Sequence, residues 1–194
     1  MRTAIFWLCL LILLPTGTAL ALEASESPNA HPLPVGSTMP DLQLMGKISP
    51  ELLATLGLQG NEPYPLSNIK AKTIILVAFS MYCPHCQREA PALNELSALI
   101  KTKGLDKDIK MIGVGIGNSD FEVNVFREKY AVTYPLFSDP DFVTNKAIGE
   151  VGTPYFYVLN MDPKNKEIKV AHTLLGRMES VEGYLDQVVK VSAK

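Results

Sequence analysis

The strongest hydrophobic pattern in the chain is a nearly continuous apolar and β-branched run over residues 73–80. A run of this kind is typical of a central strand that is covered on both faces. The next segment predicts a helix from Pro84 up to Gly104, because apolar residues recur in it at helical spacing. These are Leu93, Leu96, Leu99 and Ile100. A second apolar run, over residues 109–116, predicts another strand.

Weaker patterns complete an alternation of helices and strands. A short helix is predicted between the N-cap Ser49 and the stop signal Gly57, followed by a loop over residues 60–65. The remaining elements are a helix from Ser119 or Asp120 to about Tyr130, one from Asp139 or Asp141 to about Ile148, a hairpin of strands 155–159 and 167–175, and a final helix over about 180–191. This order predicts an α/β fold with a mixed central β-sheet flanked by helices on both faces.

The first residues have the pattern of a secretory signal. Arg2 precedes an apolar segment over residues 4–14, and an Ala-Leu-Ala sequence ends at Ala21. We therefore expect residues 1–21 to be a signal peptide that is cleaved after Ala21, which predicts a periplasmic or other extracytoplasmic location. The alternative is an uncleaved membrane anchor, because the uncharged stretch 3–22 approaches the length that crosses a bilayer.

Composition and charge narrow the classes of function. Residues 22–39 are rich in Pro, Ser, Gly and Ala and predict an extended leader, followed by one domain over residues 40–194. The net charge of -2, with acidic and basic residues interspersed, argues against nucleic acid as a partner. Because Cys9 lies in the apolar signal segment, the exported chain keeps only Cys83 and Cys86, which excludes a framework of structural disulfides.

The two remaining cysteines form a dithiol, Cys83-Pro84-His85-Cys86, where the first strand gives way to its helix. The unsatisfied N–H groups at a helix N-terminus favour the thiolate of the first cysteine, and the two-residue spacer lets the second sulfur reach the first. We therefore expect Cys83 to be the exposed nucleophile and Cys86 the buried resolving thiol. A zinc site is disfavoured because no second Cys-x-x-Cys supplies the missing ligands, and no metal or other cofactor is predicted.

Residues beside the cysteines are candidates for tuning their reactivity. Pro84 and His85 form the spacer, and the imidazole of His85 can help to hold negative charge on Cys83, although a lone histidine is ordinarily a solvated surface residue. Glu89 follows Cys86 by three residues and so lies on the same side of the helix. Its carboxylate is either the proton acceptor for Cys86 or a solvated helix acid, and the spacing leaves both interpretations open.

A substrate-binding segment is predicted at Gly152-Thr153-Pro154, ahead of an apolar strand. A proline at the start of a strand leaves the ladder open, so the backbone before it can meet a bound peptide. We assign substrate binding to Thr153 and Pro154, together with Tyr82, the aromatic residue directly before the dithiol. The Thr153–Pro154 bond is a candidate for the cis form.

These motifs, taken in their order along the chain, resemble the redoxin branch of the thioredoxin superfamily, the TlpA/ResA-like extracytoplasmic thiol-disulfide oxidoreductases. The resemblance covers roughly residues 40–191. It rests on the Leu-Val-Ala-Phe run at 76–79 before the dithiol, on Glu89 and Pro91 after it, and on residues 152–154 ahead of an aromatic strand.

The resemblance implies a thioredoxin fold and electron exchange with protein thiols and disulfides, with a membrane protein as a redox partner. It also implies that Cys83 is the attacking thiol, Cys86 the resolving thiol and Glu89 the acid that tunes proton transfer. Pro154 would be the cis-proline opposite the dithiol.

Several features depart from the family pattern. Val77 stands where thioredoxin itself carries a buried acid, and the Pro-His spacer resembles that of DsbA-type oxidants, which leaves the direction of electron flow open. The segment 49–65 is longer than the usual connection and either forms a partner surface or covers the sheet. The glycine-rich run 113–117 is interpreted as a tight strand exit, because Asn118 stands where a dinucleotide fingerprint needs glycine.

Two other functions fit parts of the pattern. A peroxiredoxin-like thiol peroxidase is suggested by Ser80, three residues before Cys83, but Leu76 replaces the proline of that active site. A Sco-like copper-binding chaperone would use the two cysteines and a distant histidine such as His172, since thiolates suit Cu(I). The spacer between the cysteines has two residues rather than the three of that family.

Overall fold

We describe the protein from a computed structural model over residues 30–162 and 164–192, so the predicted signal peptide, its cleavage site and the possible anchor lie outside the described residues. Five helices and seven strands occur in this part of the chain. The helices are α1 (Pro50–Leu56), α2 (Pro84–Thr102), α3 (Asp120–Lys129), α4 (Val143–Ala147) and α5 (Val181–Val191). The strands are β1 (Gln43–Leu44), β2 (Tyr64–Pro65), β3 (Thr73–Phe79), β4 (Ile109–Ile116), β5 (Leu136–Asp139), β6 (Tyr155–Met161) and β7 (Ile168–Leu175).

Five strands form the central sheet in the order β5-β4-β3-β6-β7. Strands β4 and β5 run parallel to β3, whereas β6 is antiparallel to β3 and β7 is antiparallel to β6. All seven residues of β3 are buried, as the continuous apolar run predicts for a central strand. The strands predicted over 73–80 and 109–116 and the closing hairpin are therefore confirmed.

Helices cover the sheet on both faces, and each face has its own apolar core. Side chains of α2, α3 and α5, among them Leu96, Phe126 and Leu185, pack on one face. The other face is covered by α1 and by the chain around α4, through residues such as Leu56 and Ile148. The predicted fold class, a mixed sheet flanked by helices on both faces, is confirmed.

The described part of the predicted leader packs against this domain. The His31 N–H donates a hydrogen bond to the Gly149 carbonyl at 2.8 Å, and the Leu33 N–H donates to the Tyr157 hydroxyl at 3.0 Å. Further along, the same segment pairs with the edge of β7. The prolines and glycine of this segment prevent a regular helix or strand. Its remaining backbone N–H and C=O groups can therefore form hydrogen bonds with the domain. The folded unit therefore includes residues N-terminal of Pro40, where the composition places its start.

The short elements differ most from the sequence-based expectations. Residues 60–65, predicted as a loop, end in β2, which pairs antiparallel with β1. The strand β5 has no counterpart among the predicted elements. Strands this short contain too few residues to show a period of two, so only the fold around them identifies them.

The helix caps match the expectations in part. Ser119 is the N-cap of α3 and forms a reciprocal capping box with Glu122. Helix α4 begins after Phe142 rather than at Asp139 or Asp141, which corrects the predicted cap. Asp139 still serves the same purpose, because its buried carboxylate accepts hydrogen bonds from two backbone N–H groups in the first turn of α4.

Among the residues that the structure describes, we find no helix that combines the length and the apolar character needed to span a membrane.

Candidate active site

The two cysteines lie just beyond the C-terminal end of β3. Cys83 is the N-cap of α2 and is partly exposed, whereas Cys86 lies in the first turn of the helix and is 1% exposed. Both are free thiols. The junction of a buried strand and a helix therefore presents one sulfur to solvent and keeps the other beneath it.

The two sulfurs have opposite acid–base properties. A hydrogen bond from the Cys86 thiol is the largest of the effects that lower the pKa of Cys83 to about 5, and burial opposes it. The Thr153 side chain and the backbone N–H groups of Cys86 and His85 add further hydrogen bonds to the thiolate. Burial raises the pKa of Cys86, and the hydrogen bond that it gives to Cys83 raises it further.

The predicted substrate-binding segment lies directly against Cys83. The Thr153–Pro154 peptide bond is cis, and the Cys83 Sγ lies 3.1 Å from the Thr153 carbonyl oxygen, to which the thiol form donates. The Pro154 carbonyl accepts a hydrogen bond from the Gly176 N–H at 2.9 Å. The structure thus brings Thr153 and Pro154 together with Cys83.

Glu89 is completely buried, at 0% exposure. Its carboxylate accepts a hydrogen bond from Arg177 Nε at 2.8 Å and another from the Met178 N–H at 2.9 Å. Arg177 itself has 48% of its side chain exposed. Glu89 is therefore not the solvated helix acid of the alternative interpretation.

A tyrosine that the sequence does not single out completes the buried side of the site. Tyr134 is 4% exposed, and burial, together with negative charge on Cys86 and Glu89, raises its pKa. The side chain thus lies within electrostatic range of both groups. Val77, at the position of thioredoxin's buried acid, is packed in the apolar core.

The spacer residues lie at the surface of the helix start. Pro84 occupies the first helical position, where no backbone donor is needed. His85 Nδ1 faces the Arg88 guanidinium at 3.2 Å and accepts from it, since arginine can only donate. The hydrogen bond from His85 that lowers the pKa of Cys83 comes from its backbone N–H.

The loop between β3 and the dithiol is held by two side chains that the sequence does not identify. The Met81 N–H donates to Asn118 Oδ1 at 2.8 Å, and Gln87 Nε2 donates to the Met81 carbonyl at 2.8 Å. Asn118 is 0% exposed. The Cys83 N–H donates to the Ser80 carbonyl at 3.1 Å, so this loop also positions Cys83. The only sign of this role in the sequence is that Asn118 is a polar residue shortly after an apolar strand.

The residues of the two alternative functions have other contacts. The ring of His172 packs against Tyr184, with the ring centroids 6.4 Å apart. Within residues 30–162 and 164–192, no group of three or more His, Cys, Asp and Glu side chains is arranged to hold a metal ion. The Ser80 hydroxyl accepts a hydrogen bond from the Asn118 amide at 3.4 Å.

Known proteins share both the sequence pattern and the fold. The model of the Redoxin family matches residues 34–184. Thiol-disulfide oxidoreductase ResA of Geobacillus kaustophilus is 27% identical over 154 residues, which are 79% of this chain and 78% of that protein. ResA of Geobacillus thermodenitrificans is 25% identical over 188 residues, 97% of this chain and 94% of that protein.

A solved structure shows the same architecture. The thioredoxin domain of a thiol-disulfide oxidoreductase from Bacteroides vulgatus has a TM-score of 0.57 at 19% identity, and the match covers 81% of this chain and 99% of that one. At this identity the likeness shows the fold alone, and it confirms the thioredoxin fold.

Proposed function

Because the chain belongs to the redoxin family, we propose that it is an exported thiol-disulfide oxidoreductase whose redox-active pair is Cys83 and Cys86. The observation that carries the proposal is the pairing of a partly exposed sulfur, with its pKa lowered to about 5, and a buried sulfur whose pKa is raised. A thiolate nucleophile and a protonated resolving thiol are what disulfide exchange requires. The export part of the proposal rests on the signal pattern of residues 1–21.

Electron transfer to a client protein takes two exchange steps. The Cys83 thiolate attacks one sulfur of a client disulfide, so a bond forms to Cys83 Sγ, the client S–S bond breaks and the other client sulfur leaves as a thiolate. Cys86 then loses its proton and attacks Cys83 Sγ, which releases the second client thiolate. The client gains two electrons, and its two thiolates are protonated by the equivalent of the Cys86 proton and by one proton from solvent. The protein is left with a Cys83–Cys86 disulfide. The reverse steps oxidise a client dithiol.

Glu89 is proposed as the acceptor of the Cys86 proton. The pKa of Cys86 is raised, so a base must take its proton before it can attack the mixed disulfide. Glu89 lies three residues further along the same helix and is buried on the same side. Arg177 and the Met178 N–H hold the carboxylate in a fixed orientation, which makes them positioning groups for Glu89.

Thr153, Pro154 and Tyr82 are proposed to receive the client segment next to its cysteine. Thr153 and Pro154 flank Cys83 at the start of β6, and Tyr82 flanks it in sequence with its side chain 65% exposed. A membrane protein that resets the redox state of the dithiol is the partner that an exported oxidoreductase needs, and we include it in the proposal.

A trapping experiment tests the function. Cys86→Ser, incubated with a peptide that contains one disulfide, should accumulate a mixed disulfide at Cys83, because the resolving thiol is missing. Cys83→Ser should form none. Glu89→Gln should prolong the mixed disulfide in an otherwise intact protein, by about 10²- to 10⁴-fold or somewhat less. Peroxide turnover without a thiol substrate, or trapping through Cys86, would overturn the proposal.

A further inference from the structure

An exposed aromatic residue follows each of the three parallel strands. Tyr82 comes after β3, Phe121 after β4 and Phe142 after β5, and their exposures are 65%, 76% and 46%. The carboxyl ends of neighbouring parallel strands meet at one edge of a sheet, so these rings lie on the edge that carries Cys83. With Val143, which is 68% exposed, they form what we call the aromatic strip. Single exposed apolar residues are ordinary, whereas several that gather at one edge of a sheet are candidates for an interaction site.

The loops that carry the strip are interlocked. The Tyr82 hydroxyl donates to one oxygen of the Glu122 carboxylate, whose other oxygen accepts from the Ser119 N–H at 2.7 Å. Phe142 reaches the neighbouring loop, where a Cβ added to Gly117 would lie 2.6 Å from its ring. Rings held in place before binding lose little conformational freedom when a partner docks, so Tyr82 and Phe142 are preorganised.

The backbone at Phe142 is strained. Its φ of 58° lies in the left-handed region, which a bulky residue seldom adopts, and its side chain makes no capping hydrogen bond to α4. Asparagine or glycine would fit this backbone and cap the helix better. Strain of this kind is found at functional sites, where a functional gain offsets its cost. At position 142 that gain is the exposed aromatic ring.

The strip is also negatively charged. The loops over residues 80–82, 117–122 and 139–144 contain no lysine, arginine or histidine. Asp120 and Glu122 are partly exposed and Asp141 is exposed. Of these three acids, Asp120 interacts electrostatically with Arg127 on α3, so the negative charge of the strip rests mainly on Glu122 and Asp141. A partner that matches this surface therefore has apolar side chains and basic side chains together.

We propose that the aromatic strip docks the segment of a client protein that flanks its reactive cysteine, and that this segment combines apolar and basic residues. The inference rests on the proposed function and names its substrate class. In the sheet order, β4 and β6 lie on opposite sides of β3. The strip and the Thr153–Pro154 segment therefore flank Cys83 from two sides, which gives a client two separate contacts around its cysteine.

The test uses the full chain, reduced, and three small disulfides. Two are peptides with one cysteine linked to glutathione and flanked by Leu-Arg-Phe-Arg or by Leu-Glu-Phe-Glu, and the third is oxidised glutathione. The rate of reaction at Cys83 is followed by acid quenching and mass spectrometry. We expect the basic peptide to react at least about fivefold faster than the acidic one. Equal rates for the two peptides would overturn the proposal.

Variants separate docking from chemistry. Phe121→Ser and Phe142→Asn should each lower the rate with the basic peptide about threefold to tenfold and leave the rate with oxidised glutathione unchanged. Asparagine suits the left-handed backbone, so Phe142→Asn keeps the fold. Val189, an exposed residue on α5, gives the matched control Val189→Ser, which should react like the wild type. A basic-peptide rate that neither strip substitution alters would overturn the proposal.

Failure of the proposed function gives a different result. If Cys83 does not react even with oxidised glutathione, the redox proposal is wrong, and docking is then measured by NMR shift perturbation with the two peptides in the Cys83→Ser protein. Shifts around the strip that occur with the basic peptide alone support the docking surface, and their absence overturns it.

Discussion

The ion pair between Glu89 and Arg177 should respond very differently to the loss of either partner. In Arg177→Met the Glu89 carboxylate, which is 0% exposed, keeps only the hydrogen bond from the Met178 N–H. Removal of one partner from a buried ion pair costs about 3 to 5 kcal/mol of folding free energy. We expect about 3 kcal/mol, because the remaining hydrogen bond persists. In Glu89→Gln the charge left behind is Arg177, which is 48% exposed and returns to water. The loss should then be about 1 to 2 kcal/mol.

Urea unfolding of the reduced proteins at pH 7 measures this difference. Thermal unfolding is a second measurement: for a domain of this size 1 kcal/mol corresponds to about 2 to 4 °C, so Arg177→Met should melt about 6 to 12 °C below the wild type. Arg88→Met removes an arginine from an exposed position and is the matched control, with an expected change within about 0.5 kcal/mol. Arg177→Lys keeps the charge and should recover part of the loss.

Equal losses of stability for Arg177→Met and Glu89→Gln would refute the assignment of an uncompensated buried carboxylate.

Four further predictions concern Cys83 and its surroundings. Since the pKa of Cys83 is lowered to about 5, its alkylation rate should rise about tenfold from pH 4 to pH 6 and then level off, while Cys86 stays unlabelled; a rise that continues to pH 8 would contradict this. The reduction potential, measured against glutathione, should lie between about -150 and -250 mV. His85→Pro removes the backbone N–H that hydrogen-bonds to the Cys83 thiolate, so it should lower the reduction potential by some tens of millivolts. His85→Ala keeps this N–H and should keep the wild-type potential. An equal or higher potential in His85→Pro would refute the role of the N–H. Asn118→Ala leaves the Met81 N–H unpaired and should lower the free energy of unfolding in urea by about 1 to 3 kcal/mol. The pKa of Cys83 should rise at the same time. An unchanged pKa of Cys83 would limit Asn118 to a structural role.

The long elements could be predicted from the sequence because each has its own complete signal. The strands over 73–80 and 109–116 are buried on both faces for most of their length, so every residue in them except Lys110 is apolar or small. The position of the dithiol follows from the junction of such a strand with a helix. The same local signals place Ser119 at a helix cap, where the capping box lies within four residues.

What could not be predicted depends on contacts between distant parts of the chain. The environment of Glu89 is set by Arg177, which is 88 residues away, so the spacing from Cys86 alone left burial and exposure open. The clamp on Met81 involves Asn118, 37 residues away, and no pattern within either segment indicates it. Single-sequence patterns report periodicity and caps, whereas these pairings exist only once the sheet order is known.

The N-terminal segment has a consequence for the order of folding. Its Leu33 N–H bonds to a tyrosine hydroxyl 124 residues further along, and its neighbours bond to β7, which is the last strand. In a chain that emerges from its N-terminus, this segment has no partners until almost the entire domain is present, and closing such a long loop is slow. We expect it to dock last, so the edge of β7 stays unpaired until the segment reaches it, and an unpaired strand edge is a place where another chain can add.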